Sequence, residues 1–177
     1  MTSAPRNRIL RLEERPAASF RANPGNWRVH PPAQRAALAG VLSDVGWAGA
    51  VLVNLRTDPA WGEDRGVETI VDGHARVEDA AARGPGTSVP SLVCDLLPAE
   101  EALILATLDP LSAMAVADKE KLNALLHEVQ SGDAAVQKML AELAEQNGIV
   151  AGPDGSVPGD DVPRASLADR FLVPPFS

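Results

Sequence analysis

At residues 68–83 the chain reads Glu68-Thr-Ile-Val-Asp-Gly-His-Ala-Arg-Val-Glu-Asp-Ala-Ala-Ala-Arg83, and its other segments are arranged around this stretch. Residues 68–71 have the pattern of a short strand, and a helical pattern begins near His74. Asp72-Gly73 joins the two, and glycine lets the backbone approach a ligand closely. The stretch therefore predicts a strand, a tight turn and a helix in direct succession.

The turn at Gly73 has the features of an anion site. The first amides of a helix have no partner within the helix, so they attract phosphate. Arg76, in the first helical turn, can bind a phosphate through its forked guanidinium. Asp72 and His74 flank the turn and are the candidate catalytic residues for proton transfer. The alternative is an ordinary strand-turn-helix connection, which is common in α/β proteins.

Several motifs stand in a characteristic order along the chain. Ile70-Val-Asp-Gly-His-Ala-Arg76 follows Asn23-Pro-Gly-Asn-Trp-Arg28, a helix ending at Gly46-Trp47, and the strand Ala50-Val-Leu-Val-Asn54. This order resembles the ParB/sulfiredoxin superfamily over roughly residues 9–115. Within it the chain is most similar to Asp-Gly-His-x-Arg variants, such as phage ParB-like nuclease domains and ADP-dependent free serine kinases. The resemblance implies an α+β fold with a small mixed sheet and flanking helices.

The resemblance also implies further site residues. The Asn-Pro segment lies near the nucleotide in ParB-like chains, which makes Asn23 and Arg28 candidate cofactor-binding residues; a plain structural turn is the alternative. Trp47 stands where such chains usually carry a Gln-Pro pair, and it could stack on a nucleobase or pack against the core. Glu100 and Glu101 follow the last strand, where the family contributes to the nucleotide pocket or its magnesium. Their alternative role is to stabilise the start of a helix.

Two branches of the superfamily differ from this chain at their catalytic residues. Sulfiredoxins carry a catalytic Cys where this chain has His74, and Cys94 is on a different strand, so sulfinic acid reduction is excluded. The serine kinases carry a catalytic Glu after the first strand, where this chain has His30-Pro31-Pro32. His30 could replace that acid as a base.

The ParB branch binds CTP, or in related proteins ATP, through a Gly-Glu-Arg-Arg box. Gly73 and Arg76 match the first and last members of the box, whereas His74 and Ala75 replace the middle two. The missing Arg removes one phosphate contact. The resemblance therefore implies nucleotide binding, with ATP or CTP as the cofactor and Mg²⁺ as a possible companion, but not the full CTP clamp cycle.

Three functions follow from these patterns. The first is a ParB-like nucleotide-binding domain in a phage or mobile-element protein for DNA modification, of the methyltransferase-associated kind. The second is a phosphotransferase or NTPase of the serine-kinase type, and the third is a DNA nuclease. The nuclease lacks a clustered metal-carboxylate motif in the sequence.

Composition restricts the partners. The 177 residues carry a net charge of -8, so a broad basic surface for DNA is not expected, and DNA binding would be local or made through a larger protein or partner. Cys94 is the only cysteine, which rules out an intrachain disulfide. The sequence shows neither a signal peptide nor an apolar run long enough to span a bilayer, so a cytoplasmic protein is expected. The oligomeric state stays open, with a homodimer as one possibility.

The domain organisation is expected to have four parts. Residues 1–16 form a flexible tail with a first strand at 9–12, and 17–115 form the ParB-like domain. Residues 116–150 form an extension of two helices, at about 118–130 and 133–146, and 151–177 form a linker and the start of a following region. Three local features are also expected: a last strand at 89–96, a polar loop at 56–66 whose Trp61 covers the pocket or a partner surface, and a helix break at 107–115.

Overall fold

A computed structural model of the chain describes residues 4–149. Its strands and helices alternate along most of the chain, as the sequence pattern predicts. The strands are β1 (Ile9–Pro16), β2 (Val51–Leu55), β3 (Glu68–Asp72) and β4 (Ser88–Cys94). The helices are α1 (Pro32–Asp44), α2 (His74–Arg83), α3 (Pro98–Ala113), α4 (Lys119–Glu128) and α5 (Ala134–Gln146).

The strands form one mixed sheet in the order β1-β4-β2-β3. β1 pairs with β4 and β2 pairs with β3, both antiparallel, whereas β2 and β4 run parallel with Val53 opposite Val93. The parallel pair requires a crossover connection, and α2 lies within it. The α+β class with a small mixed sheet and flanking helices is thereby confirmed.

The two faces of the sheet are covered by different helices. Val51 and Val53 of β2 point to one face, where Val77 and Ala80 of α2 complete a buried cluster. Leu52 points to the other face, because side chains alternate along a strand. There it packs with the second cluster, which α3 covers through Ile104 and Leu105. The layered arrangement brings the start of α2 and the body of α3 to the same edge of the sheet.

The central turn has the predicted form. β3 ends at Asp72, Gly73 has φ +92°, and α2 begins at His74. A Cβ at position 73 would lie 2.7 Å from Val51 Cγ1, so both the backbone conformation and the space require glycine.

Several predicted boundaries are corrected by the structure. β1 continues to Pro16 rather than ending at residue 12, because its pairing with β4 extends to Ser88. The break expected at residues 107–115 is wrong: α3 continues through Pro110 to Ala113. Pro110 lies near the end of that helix, where the loss of one backbone hydrogen bond is tolerated. The carbonyl of Pro110 still accepts a hydrogen bond from Met114 N at 3.1 Å.

The polar loop after β2 contains a 3-10 helix at Pro59–Asp64. Its Trp61 stacks on Arg56, whose guanidinium carbon lies 4.1 Å from the ring centroid, and donates from Nε1 to Leu96 O at 3.0 Å. Trp61 thus packs on the protein rather than over a pocket.

The described residues group into two compact units, one of residues 4–116 with 131–139 and one of residues 117–130 with 140–149. The start of α5 belongs to the first unit, where Ser131 Oγ donates to Asp44 Oδ2 at 2.6 Å. The linker expected at 151–177 and the tail residues 1–3 lie outside the described residues. Of the helices between residues 4 and 149, none has the length and apolar character needed to cross a membrane.

Candidate functional site

A cavity of about 200 Å³ lies beside the central turn, within the first unit. Four segments form its walls: the end of β3 with the start of α2, the extended segment before α1, the first half of α1, and α3. The polar, charged and aromatic residues of its lining include Trp27, Arg28, His30, Asp72, Gly73, His74, Arg76 and Asp109.

The turn presents a helix start and a guanidinium to this cavity. Gly73 is the N-cap of α2 and places no side chain over the first amides of the helix. Arg76 Nη2 forms an ion pair with Asp72 Oδ2 at 2.9 Å, and Nη1 donates to Ala50 O at 3.2 Å. These contacts hold the guanidinium at the cavity wall, where an anion would meet positive charge from both the helix and the side chain.

A second ion pair forms another part of the wall. Arg28 Nε lies 2.6 Å from Asp109 Oδ2, and each side chain is about one-third exposed. The guanidinium of Arg28 also lies 5.1 Å from the ring centroid of Trp27. Both guanidinium groups of the cavity are therefore paired with carboxylates yet still accessible.

His74 is buried at the base of the turn and is engaged within the protein. Its Nε2 accepts from the backbone N of Asn23 at 3.3 Å, so the neutral ring carries its proton on Nδ1. Burial lowers the pKa of His74, against the carboxylates of Asp72 and Glu78, which raise it; His30 lowers it further. The neutral imidazole links the turn to the Asn-Pro segment.

Asn23 lies behind the cavity rather than in its lining. Its side-chain Oδ1 accepts from Gly25 N at 2.9 Å, and its Nδ2 donates to Glu101 Oε1 at 2.8 Å. Asn23 is 6% exposed and both ends of its side-chain amide are hydrogen-bonded within the protein, which agrees with its alternative role in a structural turn.

The aromatic residue at the cavity is Trp27, not Trp47. Trp47 packs against the buried cluster that contains Val51, Val77 and Ala80, which agrees with its core-packing alternative, and it does not line the cavity. Trp27 is 59% exposed, and its Nε1 donates to Leu105 O at 3.0 Å. Sequence reasoning missed Trp27, although it lies inside the Asn-Pro-Gly-Asn-Trp-Arg segment that suggested the neighbouring positions.

Glu100 and Glu101 point in different directions. Glu100 accepts from Leu97 N at 2.9 Å and from Arg8 Nη1 at 2.8 Å, so it caps the start of α3. Glu101 is buried and bonded to Arg56. Neither lines the cavity, and residues 4–149 contain no group of three or more His, Cys, Asp or Glu placed to hold a metal ion. The metal role expected for these two carboxylates is therefore not supported by their contacts.

A second hollow of about 320 Å³ adjoins the first across the segment before α1. Trp27, Arg28 and His30 line both hollows. His30 Nδ1 lies 3.2 Å from Gln34 Oε1, which favours a proton on Nδ1 and leaves Nε2 as an acceptor.

Comparison with solved structures identifies the fold. The chain aligns with the C-terminally truncated chromosome-partitioning protein ParB from Caulobacter crescentus complexed with CTP-gamma-S, with a TM-score of 0.53 and 19% identity, over 75% of this chain and 78% of that chain. A Pnob8-like ParB-N domain aligns with a TM-score of 0.43 and 15% identity, over 82% and 55% of the two chains. The Caulobacter crescentus protein complexed to the centromeric parS site aligns with a TM-score of 0.42 and 19% identity, over 80% and 73%.

No protein-family model matches the chain, and no curated protein matches it by sequence. The chain has a ParB-like fold, as the order of its motifs predicts.

Proposed function

We propose that this ParB-like domain binds a nucleotide, CTP or ATP, in the cavity beside Gly73. The observation that carries the proposal is the combination of an uncapped helix start, a glycine with no room for a side chain and the Arg76 guanidinium at one wall. Backbone amides at a helix start and an adjacent arginine are the usual means by which proteins hold phosphate.

The opposite walls suit a nucleobase. Trp27 offers an exposed indole fixed by a hydrogen bond, and Ile104, Leu105 and Leu108 of α3 add apolar surface. Aromatic side chains can stack on any of the bases, because every base has a π-face. A cavity of about 200 Å³ is smaller than the roughly 300–1,000 Å³ typical of small-molecule sites, so part of a triphosphate would extend into solvent.

The solved ParB from Caulobacter crescentus with CTP-gamma-S supports a nucleotide as the ligand class. Magnesium would enter with the phosphates, since Mg²⁺ is commonly held by one or two carboxylates together with phosphate oxygens. The carboxylates available at this cavity are Asp72 and Asp109. A place in a phage or mobile-element DNA-modification protein is part of the proposal, with DNA contacted through a larger protein or a partner because this chain carries a net charge of -8.

Calorimetric titration with CTP, ATP and ADP, each with and without magnesium, tests the proposal. Arg76→Ala should weaken binding by roughly 10- to 100-fold, because a hydrogen bond to a charged group contributes about 1.5–3 kcal/mol. Arg83→Ala is the matched control: Arg83 forms the same i,i+4 pair with Asp79 on the same helix but lies outside the cavity. Equal affinities of the two variants, or no binding by the unmodified chain, would refute the proposal.

Nucleotide turnover is the second candidate function. His30 borders both hollows and its Nε2 can accept a proton, so a phosphoryl acceptor in the second hollow would find a base beside it. Asp72 and His74 remain catalytic candidates, although Arg76 already occupies Asp72 Oδ2 and the backbone N of Asn23 occupies His74 Nε2. Nucleoside diphosphate release that His30→Gln abolishes while binding persists would support an enzyme; absence of release would leave the binding function alone.

A further inference from the structure

Beneath the cavity floor lies a buried ion pair that none of the proposed ligand contacts uses. Arg56 is 2% exposed and Glu101 is 3% exposed. Arg56 Nη2 donates to Glu101 Oε1 at 2.8 Å, and Arg56 Nε donates to Oε2 at 3.3 Å. Burying two charges costs solvation free energy, and a well-packed apolar pair is often as stable, so stability alone is a weak reason for this arrangement.

The carboxylate of Glu101 holds two asparagines as well as Arg56. Asn54 Nδ2 donates to Oε2 at 2.6 Å, and Asn23 Nδ2 donates to Oε1 at 2.8 Å. Asn54 belongs to the central strand β2, whereas Asn23 belongs to the segment that leads to the cavity wall. Glu101 thus ties α3, the sheet and the Asn-Pro segment together at one point.

From Asn23 the contacts continue to two walls of the cavity. The backbone N of Asn23 donates to His74 Nε2 at 3.3 Å, which fixes the position of His74 at the central turn. The backbone O of Asn23 accepts from Asn26 N at 3.0 Å, and Asn26 and Trp27 line the cavity. Each of these bonds depends on the position of Asn23, whose side chain Glu101 holds.

We propose that Glu101 is a positioning residue of the nucleotide site. It acts through Asn23, which holds the central turn at His74 and the cavity wall at Trp27 in their relative positions. This inference rests on the proposed function, because it concerns the same cavity. Preorganised sites depend on supporting residues that lock the groups facing the ligand. Glu101 itself touches no ligand in this account.

The test compares Glu101→Gln with Glu100→Gln in the full chain. Glutamine keeps the shape of Glu101 but replaces one acceptor oxygen with an NH₂ group, which faces the side-chain donors of the two asparagines and Arg56. Glu100 is the adjacent carboxylate on the same helix and contacts neither Asn23 nor the cavity. Binding of CTP and ATP should weaken about tenfold or more in Glu101→Gln, the size expected for loss of a supporting residue, and stay near the original value in Glu100→Gln.

A second readout separates positioning from general stability. Long-range ¹H–¹⁵N spectra report the tautomer of each histidine, and His74→Gln identifies the His74 signals. The unmodified chain should hold His74 as the Nδ1–H tautomer, and Glu101→Gln should give a mixture. If Glu101→Gln does not fold, Asn23→Ala carries the test, because it leaves the Arg56–Glu101 pair intact and should cause both changes.

A folded Glu101→Gln or Asn23→Ala variant with unchanged affinity and an unchanged His74 tautomer would overturn the inference. Failure of the proposed function has a different outcome, namely no nucleotide binding by the unmodified chain. In that case the His74 tautomer still decides whether Glu101 sets the geometry of the turn.

Discussion

Gly73 is the residue on which the shape of the candidate site depends most. Its φ of +92° lies in the left-handed region, and a Cβ would lie 2.7 Å from Val51 Cγ1 and 3.1 Å from Arg76 Nη2. Glycine adopts this conformation without the strain that a Cβ would add. The collision with Val51 is a tertiary contact and has no counterpart in the local pattern.

Gly73→Ala should lower the free energy of unfolding by about 2–6 kcal/mol, because a left-handed backbone costs a non-glycine residue about 1–3 kcal/mol and overpacking adds about 1–3 kcal/mol. Urea denaturation measures this change. Gly66→Ala is the matched control, since Gly66 has φ +80° but no atom within 4 Å of the added Cβ. Equal losses in the two variants would show that the contact with Val51 has no energetic effect.

His74 should make stability depend on pH. Burial lowers its pKa below the ordinary value of about 6.5, although Asp72 and Glu78 oppose this shift. Between the two values the unfolded chain binds more protons than the folded chain, so the stability present above about pH 6.5 should be lost as pH falls through the folded pKa.

Urea denaturation across this pH range checks the prediction. His74→Gln should remove most of the decline, whereas His127→Gln, at the exposed end of α4, should leave it in place. A decline that persists unchanged in His74→Gln would contradict the assignment.

Single-residue roles were predictable where the local pattern determined them. Gly73 and Arg76 follow from the spacing of strand, turn and helix, and the structure brings both to the cavity. The direction of Asn23 depends on Glu101, which is 78 positions away, and the exposure of Trp27 depends on its bond to Leu105 in α3. Such long-range bonds leave no signal in a single sequence, which is why Trp27 was not predicted as a residue of the site.

The helices begin where local sequence rules allow, and they continue where packing overrides a local signal. Pro32 begins α1 and Pro98 begins α3, as the missing amide hydrogen allows. Asp109-Pro110 was interpreted as the turn of a helix break at residues 107–115, yet α3 continues past it. Proline removes one backbone hydrogen bond from a helix. In α3 this loss falls in the last turn, so Pro110 does not end the helix.

Helix α1 provides a test in which helix propensity and packing predict opposite changes in the free energy of unfolding for one substitution, Gly40→Ala. Alanine is favoured over glycine within a helix by about 1 kcal/mol. At Gly40, however, a Cβ would lie 2.5 Å from Asp133 Cγ and 2.7 Å from Val136 Cγ2. Asp133 cannot move cheaply, because its Oδ1 accepts from two amides at the start of α5.

Gly40→Ala should therefore lower the free energy of unfolding by up to about 2 kcal/mol, the result of subtracting the propensity gain of about 1 kcal/mol from an overpacking cost of about 1–3 kcal/mol. Ala36→Gly on the exposed face of α1 measures propensity alone and should cost about 1 kcal/mol. A more stable Gly40→Ala would mean that the start of α5 does not pack against α1.

For the molecule as a whole, the order of motifs predicted the fold better than any one motif did. The resemblance carried by the Asn-Pro segment, the central turn and their order implies the ParB-like fold and the mixed sheet, and the comparison with the Caulobacter crescentus protein bears out the fold. The pairing of β1 with β4 was not predicted, since their partners are about 80 residues apart in sequence.

The most direct measurement is an amide NMR titration of the ¹⁵N-labelled chain with CTP and ATP in the presence of magnesium. If the cavity is the nucleotide site, the largest shifts should fall on the backbone amides of Gly73, His74, Ala75 and Arg76 and on the indole N–H of Trp27. Spectra that stay unchanged at millimolar nucleotide, or shifts confined to residues outside the cavity lining, would contradict the account.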